Sequence, residues 1–198
     1  MKNRIAIGAD GSGTTFAAIV EACRAGRIPA ELVLLFSNKE TCGAAEKARA
    51  WNIPVVVLQG TVVQREIQLS NVLEQDFAPL DLVCLAGYLR LIPKSVLGQF
   101  PRKILNSHPA LDLMRFGGKG MFGTHVTKAE LAAGLQESGS TIHVVSEEYD
   151  RGDIILQSHT LVPVLPDDTP ETFLARKLPQ ERALYIEAIR MLLEHTDA

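Results

Sequence analysis

Asn106 and His108 stand two residues apart in the stretch Arg102-Lys103-Ile104-Leu105-Asn106-Ser107-His108-Pro109-Ala110, and in extended backbone residues i and i+2 project from one face. Pro109 has no backbone N–H and biases His108 away from helical geometry, so a strand should stop here. A carboxamide and an imidazole would then share the carboxyl end of a strand, where open α/β sheets place their chemistry. An ordinary turn histidine with a satisfied hydrogen bond fits the same nine residues. A second stretch, Asp10-Gly11-Ser12-Gly13-Thr14-Thr15, breaks an apolar run ahead of a helical one. Glycines and hydroxyl residues there leave backbone N–H groups at the positive end of a helix dipole, which suits a phosphate. It equally suits a plain N-cap turn, and it is neither a Walker loop nor a full dinucleotide fingerprint. Asp10 would repel an anion unless it points away or caps the helix.

The elements that must position these groups alternate. Ile5–Ala9, Glu31–Phe36, Pro54–Leu58 and Pro79–Ala86 read as strands, the last the most apolar and central. Phe16–Cys23, Cys42–Trp51 and Thr61–Gln75 read as helices, the third with Val63, Ile67, Val72 and Leu73 inward. Such spacing indicates parallel βαβ units. Arg65 on the third helix is a solvated cation or, beside a phosphate loop, a second anion ligand. Lys94–Phe100 is a short helix before Ile104-Leu105. Residues 112–123 carry Gly117, Gly118, Gly120 and Gly123 among Met114, Phe116, Met121 and Phe122, a loop too apolar for a linker and suited to a lid or pocket wall. Thr124 should cap a helix over His125–Gln136. A β-rich half follows: Thr141–Val145, with His143 and Val145 on one face, then Ile154–Gln157 and Thr160–Val164. Between the first two lies Glu147–Asp153, a turn with four carboxylates. The last helix opens at Thr169-Pro170-Glu171, and Pro179 should kink or split it.

The 198 residues suffice for one sizeable core. With 46% hydrophobic and 22% charged residues the chain is ordinary for a folded protein. Its net charge of −3, from 20 basic and 23 acidic side chains, offers no general attraction for nucleic acid or anionic membrane. Cys23, Cys42 and Cys84 lack metal-ligand spacing and read as free thiols of a reducing cytoplasm. The amino-terminal apolar run is too short for a signal core, and no window reaches membrane-span length. Without repeats or linkers, one domain over 1–198 is expected.

The Asn106–Ala110 and Asp10–Thr15 stretches, Phe36-Ser37-Asn38, Ala86-Gly87-Tyr88-Leu89-Arg90, Ser140–Val145 and Asp150–Gln157 together resemble, in collinear order from about Ile5 to Ile189, the phosphoribosylglycinamide formyltransferases of purine biosynthesis. The resemblance implies a formyltransferase fold: a Rossmann-like parallel βαβ half over about 1–100 that binds the nucleotide phosphate, then a mixed sheet with a β-rich half and a final helix over about 101–198 for catalysis and folate. It implies transfer of the formyl group of 10-formyltetrahydrofolate, as co-substrate, to the amine of glycinamide ribonucleotide, without metal. By position, Asn106, His108 and Asp150 are then catalytic. N–H groups of Asn106 and His108 would stabilise charge on the formyl oxygen, and Asp150 would orient the imidazole and help move the proton shed by the amine. Gly13, Thr14 and Thr15 would hold the phosphate with Arg65 assisting, and Glu181 would contact the ribonucleotide. Tyr88, Leu89, Arg90, Leu91, Ile92 and Val145 would line the folate site.

The chain departs from the family pattern at Asp10, usually serine; at Arg182, usually histidine, with Pro179 ahead of it; and at Asp112, an acid beside the strand end. These departures leave open a formyltransferase for another phosphorylated amine, or a catalytically weakened nucleotide- or folate-binding protein of the same fold. The expected partners are small molecules, with neither nucleic acid nor membrane, and the expected state is a monomer or homodimer.

Overall fold

Ile5, Ala6 and Ile7 are fully buried in β1 (Asn3–Gly8), part of a sheet with core on both faces. Ile5 and Ile7 pack into one hydrophobic cluster and Ala6 into another, which is why β1 reads as a continuous apolar run rather than an alternating one. The computed structural model describes residues 2–194. Met1 and residues 195–198, the ends of the expected 1–198 unit, lie outside the described residues.

The expected alternation is present: α1 (Thr14–Arg24), β2 (Ala30–Ser37), α2 (Gly43–Ala50), β3 (Val55–Val57), α3 (Val62–Asn71), β4 (Leu82–Leu85), α4 (Lys94–Gln99) and β5 (Ile104–His108). Next come α5 (Leu113–Phe116), α6 (Thr124–Ala132), β6 (Glu137–Ser138), β7 (Thr141–Val144), β8 (Ile154–Gln157), β9 (Val162–Pro163) and α7 (Pro170–Glu194). Seven strands form one sheet in the order β3-β2-β1-β4-β5-β7-β8. The first five are parallel, and β7 and β8 add on antiparallel. β6 pairs with β9 in a separate two-stranded sheet. The strand order reverses between β1 and β4, so the crevice over their carboxyl ends is the place for ligands in such a sheet. The loops after β1, β4 and β5 meet there.

Two local expectations are corrected and a third is narrowed. Val63 and Ile67 do not face inward but are 62% and 56% exposed. Gln64 shares a capping box with Thr61, and Gln68 exchanges hydrogen bonds with the Gln59 backbone. These contacts turn the polar stripe of α3 onto the preceding loop and the apolar one outward, and burial begins at Leu69, continuing through a π-helical turn at Val72–Asp76. The N-cap of α6 is Gly123, at φ 52°, with Thr124 already helical. Finally, of the kink or split expected at Pro179, the split is absent: α7 runs as one helix from Pro170 to Glu194. Buried side chains grip it on both sides of the proline: Phe173 and Lys177 before, Leu184 and Tyr185 after. Lys177 Nζ donates to the Pro109 carbonyl (2.6 Å), to Glu130 of α6 (2.7 Å) and to Ser138 Oγ (3.0 Å). The Tyr185 hydroxyl lies 3.2 and 3.0 Å from the Leu85 and Leu105 carbonyls. The last helix thereby fixes the ends of β4 and β5, on which the site is built.

Candidate active site

On β5 the strand period places Asn106 and His108 on one face, and antiparallel pairing sets His143 of β7 directly opposite Asn106. Beyond β7 the chain turns back at Asp150, which adopts φ 55°, a left-handed conformation that aspartate tolerates better than most residues. Gly152 lets this turn close on the sheet, since a Cβ there would sit 1.8 Å from the Val144 carbonyl oxygen. The Asp150 carboxylate, 9% exposed, arrives among three side chains. Its Oδ1 accepts from Asn106 Nδ2 (3.4 Å) and lies 3.4 Å from His143 Nε2. Its Oδ2 accepts from Gly118 N (2.9 Å) and lies 3.5 Å from His108 Nδ1.

Two carbonyls decide where the ring protons are. A carbonyl only accepts, so His108 Nε2, 2.8 Å from Phe116 O, carries hydrogen, and so does His143 Nδ1, 2.9 Å from Val144 O. With that hydrogen on Nδ1, His143 Nε2 has a lone pair for Asn106 Nδ2, 3.2 Å away. Neutral His108 likewise has its lone pair at Nδ1, facing the carboxylate. Burial pulls the His108 imidazole below its ordinary 6.5, against the opposing pull of Asp150. Burial also pushes Asp150 up, but His143, His108 and the Gly118 N–H together outweigh it and hold the carboxyl below its ordinary 3.8. The resting site is thus a carboxylate beside an uncharged imidazole with a free nitrogen, a pair ready to receive a proton.

These groups line a cavity of about 590 Å³ together with Gly11–Thr15, Ala86–Leu91, Val145, Gly118–Gly123 and Glu181. Gly13, Thr14 and Thr15 are therefore on its wall. Gly13 is obligatory there: at φ 73° its Cβ would lie 2.5 Å from the Ala44 Cα. Asp10 is 4% exposed and does not cap α1; its carboxylate accepts from Ser37, Asn38 and Leu89. Glu181 accepts from Ser107 Oγ at 2.8 Å through Oε1, while its buried Oε2 has no hydrogen-bond partner among the described residues. Burial holds this carboxyl above its ordinary 4.5, with Ser107 opposing. That free oxygen is a place for a donor from a ligand. Tyr88, Leu89, Arg90, Leu91 and Val145 also line the cavity, and so does the apolar, glycine-rich segment after α5.

Two expected site residues stand apart. Ile92, 2% exposed, packs in the core behind the wall. Arg65 donates to Gly60 O at 2.7 Å and is not among the lining residues. Asp112 caps α5 by accepting from Met114 N and Arg115 N, and it also lies outside the lining. His143 and Ser107 are polar contributors that local sequence patterns did not single out, and Lys119, Glu148 and Tyr149 also line the cavity. Among the described residues no cluster of three or more His, Cys, Asp or Glu side chains is arranged to hold a metal ion, and no helix is long and apolar enough to cross a membrane.

The chain matches the formyl transferase family over residues 3–189. It is 43% identical to a chloroplastic phosphoribosylglycinamide formyltransferase of Arabidopsis thaliana, over 98% of this chain but 66% of that protein's length. It thus spans slightly less than two thirds of that plant relative. A phosphoribosylglycinamide formyltransferase of Haemophilus influenzae is 32% identical over 96% of this chain and 87% of its own. The crystal structure of glycinamide ribonucleotide transformylase 1 from Symbiobacterium toebii superposes with a TM-score of 0.88 at 36% identity, covering 98% of this chain and 89% of that one.

Proposed function

The chain belongs to the formyl transferase family, and from that premise we propose that it transfers the formyl group of 10-formyltetrahydrofolate to the amine of glycinamide ribonucleotide in purine biosynthesis. The observation that carries this reading is the meeting of Asp150 with Asn106 and His108 in the same cavity as the Gly11–Thr15 loop. In this reading the cavity takes both small molecules. Backbone N–H groups at the amino terminus of α1 face a phosphate, with Glu181 toward the ribonucleotide. The Tyr88–Leu91 segment and Val145 supply apolar surface and backbone partners for a pterin. Arg65 joins the phosphate only by leaving Gly60, and Ile92 supports the pterin wall from behind.

As the neutral amine attacks, the formyl oxygen gains negative charge, and an N–H of Asn106 turns toward it. His108 spends its Nε2–H on Phe116, so its contribution comes through Nδ1. That nitrogen takes the proton shed by the amine, directly or through water, and returns it to the departing folate nitrogen. Asp150 stabilises the imidazolium while it lasts. We take the working unit to be a single domain over 1–198, phosphate-binding to about residue 100 and catalytic beyond, acting in the cytoplasm as a monomer or homodimer without nucleic acid or membrane.

Purified protein given both substrates should form formylated ribonucleotide, and free inorganic phosphate should compete with the ribonucleotide and not with the folate. Binding of both without product would instead mark a weakened binding protein, and competition with folate alone would contradict the placement of the phosphate.

The pH profile follows from the direction of the His108 shift. Its proton must be absent for Nδ1 to act, and burial favours the neutral ring, so kcat should fall only below about pH 6.5. Asp150, held down, stays ionised throughout that limb. A second rise near pH ~8 belongs to the substrate amine. Rates measured from about pH 5 to 9 on wild type and on a residually active His108→Asn variant check this: the acid limb should vanish in the variant.

A further inference from the structure

Asp10 is a buried carboxylate that the chemistry above does not use, and from the end of β1 its bonds run to two further strand ends at once. Oδ1 accepts from Ser37 Oγ (3.0 Å) and Asn38 N (2.7 Å) after β2. Oδ2 accepts from Asn38 Nδ2 (3.1 Å) and Leu89 N (3.2 Å) after β4. Its own N–H, at the end of β1, donates to the Gly87 carbonyl at 3.1 Å. The segment it holds has no regular structure, and Leu89 and Leu91 are 44% and 43% exposed. Besides Asp10, that segment is anchored by the Tyr88 ring set edge-on to Phe36 at 5.2 Å. The same residue immediately precedes Gly11–Thr15, so a carboxylate adjoins the anion cradle along the chain.

We propose that Asp10 is a positioning residue that sets the balance between the two substrates: it fixes the Gly87–Leu91 wall for the folate and weakens the neighbouring cradle for the phosphate. This rests on the formyl-transfer reading in assigning the folate to that wall. A charge-assisted hydrogen bond from Leu89 N orients the wall's backbone more firmly than a hydroxyl does. A shorter neutral side chain at position 10 leaves Leu89 N–H to water and relieves the cradle of an opposing charge.

Asp10→Ser tests this by direct titration with two probes, folic acid and inorganic phosphate. Folic acid should bind about tenfold more weakly, the equivalent of one lost charged hydrogen bond, while phosphate binds about threefold more tightly. In turnover, KM for the folate should rise and KM for the ribonucleotide should fall. Asp10→Asn, which keeps the shape and drops the charge, should give the same two opposite shifts and carries the test if the serine variant does not fold. A merely structural carboxylate would weaken both ligands together, and that result overturns the proposal. So does unchanged folic acid affinity in either variant, provided wild type binds it. A wild-type protein that binds no folic acid overturns the formyl-transfer reading, and this inference with it.

Discussion

Asn106→Ala should lower kcat a hundredfold or more, about 3 kcal/mol of lost charge stabilisation, while KM for both substrates stays within about threefold. The carboxamide is well placed for such an effect. It sits half-buried at the end of β5, paired across the sheet with His143, whose Nε2 lone pair accepts one N–H at 3.2 Å. The other hydrogen faces Asp150 at 3.4 Å, too long to be strong and so free to turn toward a developing oxyanion at small cost. Asn106→Asp should be no better, since it replaces a donor with a charge facing Asp150. Steady-state kinetics of both variants decide the matter, and a near-wild-type rate in Asn106→Ala would remove the amide from the reaction.

The parts of the site that were legible in the sequence are those set by local geometry. Asn106 and His108 share a face because a strand repeats every two residues, and Pro109 marks where the strand ends. The Gly11–Thr15 loop lines the cavity, and its place between a buried strand and a helix was legible locally, although the same turn equally suits an N-cap. His143 was placed on a strand face but given no role, because its partnership with Asn106 depends on the register of β5 against β7, which no local pattern states. The orientation of Asp10 depends likewise on Ser37, Asn38 and Leu89, which lie 27, 28 and 79 residues from it. On α3 an i, i+4 apolar pair, Val63 and Ile67, looked like an inward stripe. The polar i, i+4 pair Gln64 and Gln68 turned out to hold the helix to its loop, and periodicity cannot rank the two faces. Ile92 and Arg65 show the remaining limit: membership of the right segment does not say which side of it a side chain takes.

Asp150→Asn should be the more damaging change, about a thousandfold in kcat, within the range of lost acid–base assistance. Asparagine keeps the shape and accepts the left-handed backbone at φ 55°, and its amide oxygen can still receive the Gly118 N–H. It cannot match the charge of a protonated His108, and the imidazole is already reluctant to ionise because it is buried. With the carboxylate gone, only the hydrogen bond to the Phe116 carbonyl still opposes that reluctance, so the proton of the attacking amine has a much poorer acceptor. Raising the pH should not restore the rate, because the missing step is stabilisation of the imidazolium rather than deprotonation of the ring. Folic acid and inorganic phosphate should still bind within about threefold of wild type, since neither the Leu89 segment nor the α1 terminus leans on Asp150. The stability that Asp150 contributes is present above about pH 3.8 and is lost as pH falls through its lowered value, so melting curves at neutral pH, where wild type has all of it, separate an unfolded variant from an inactive one. A folded Asp150→Asn protein turning over within tenfold of wild type would leave His108 without the counter-charge on which the proton transfer depends, and the proposed chemistry would fall.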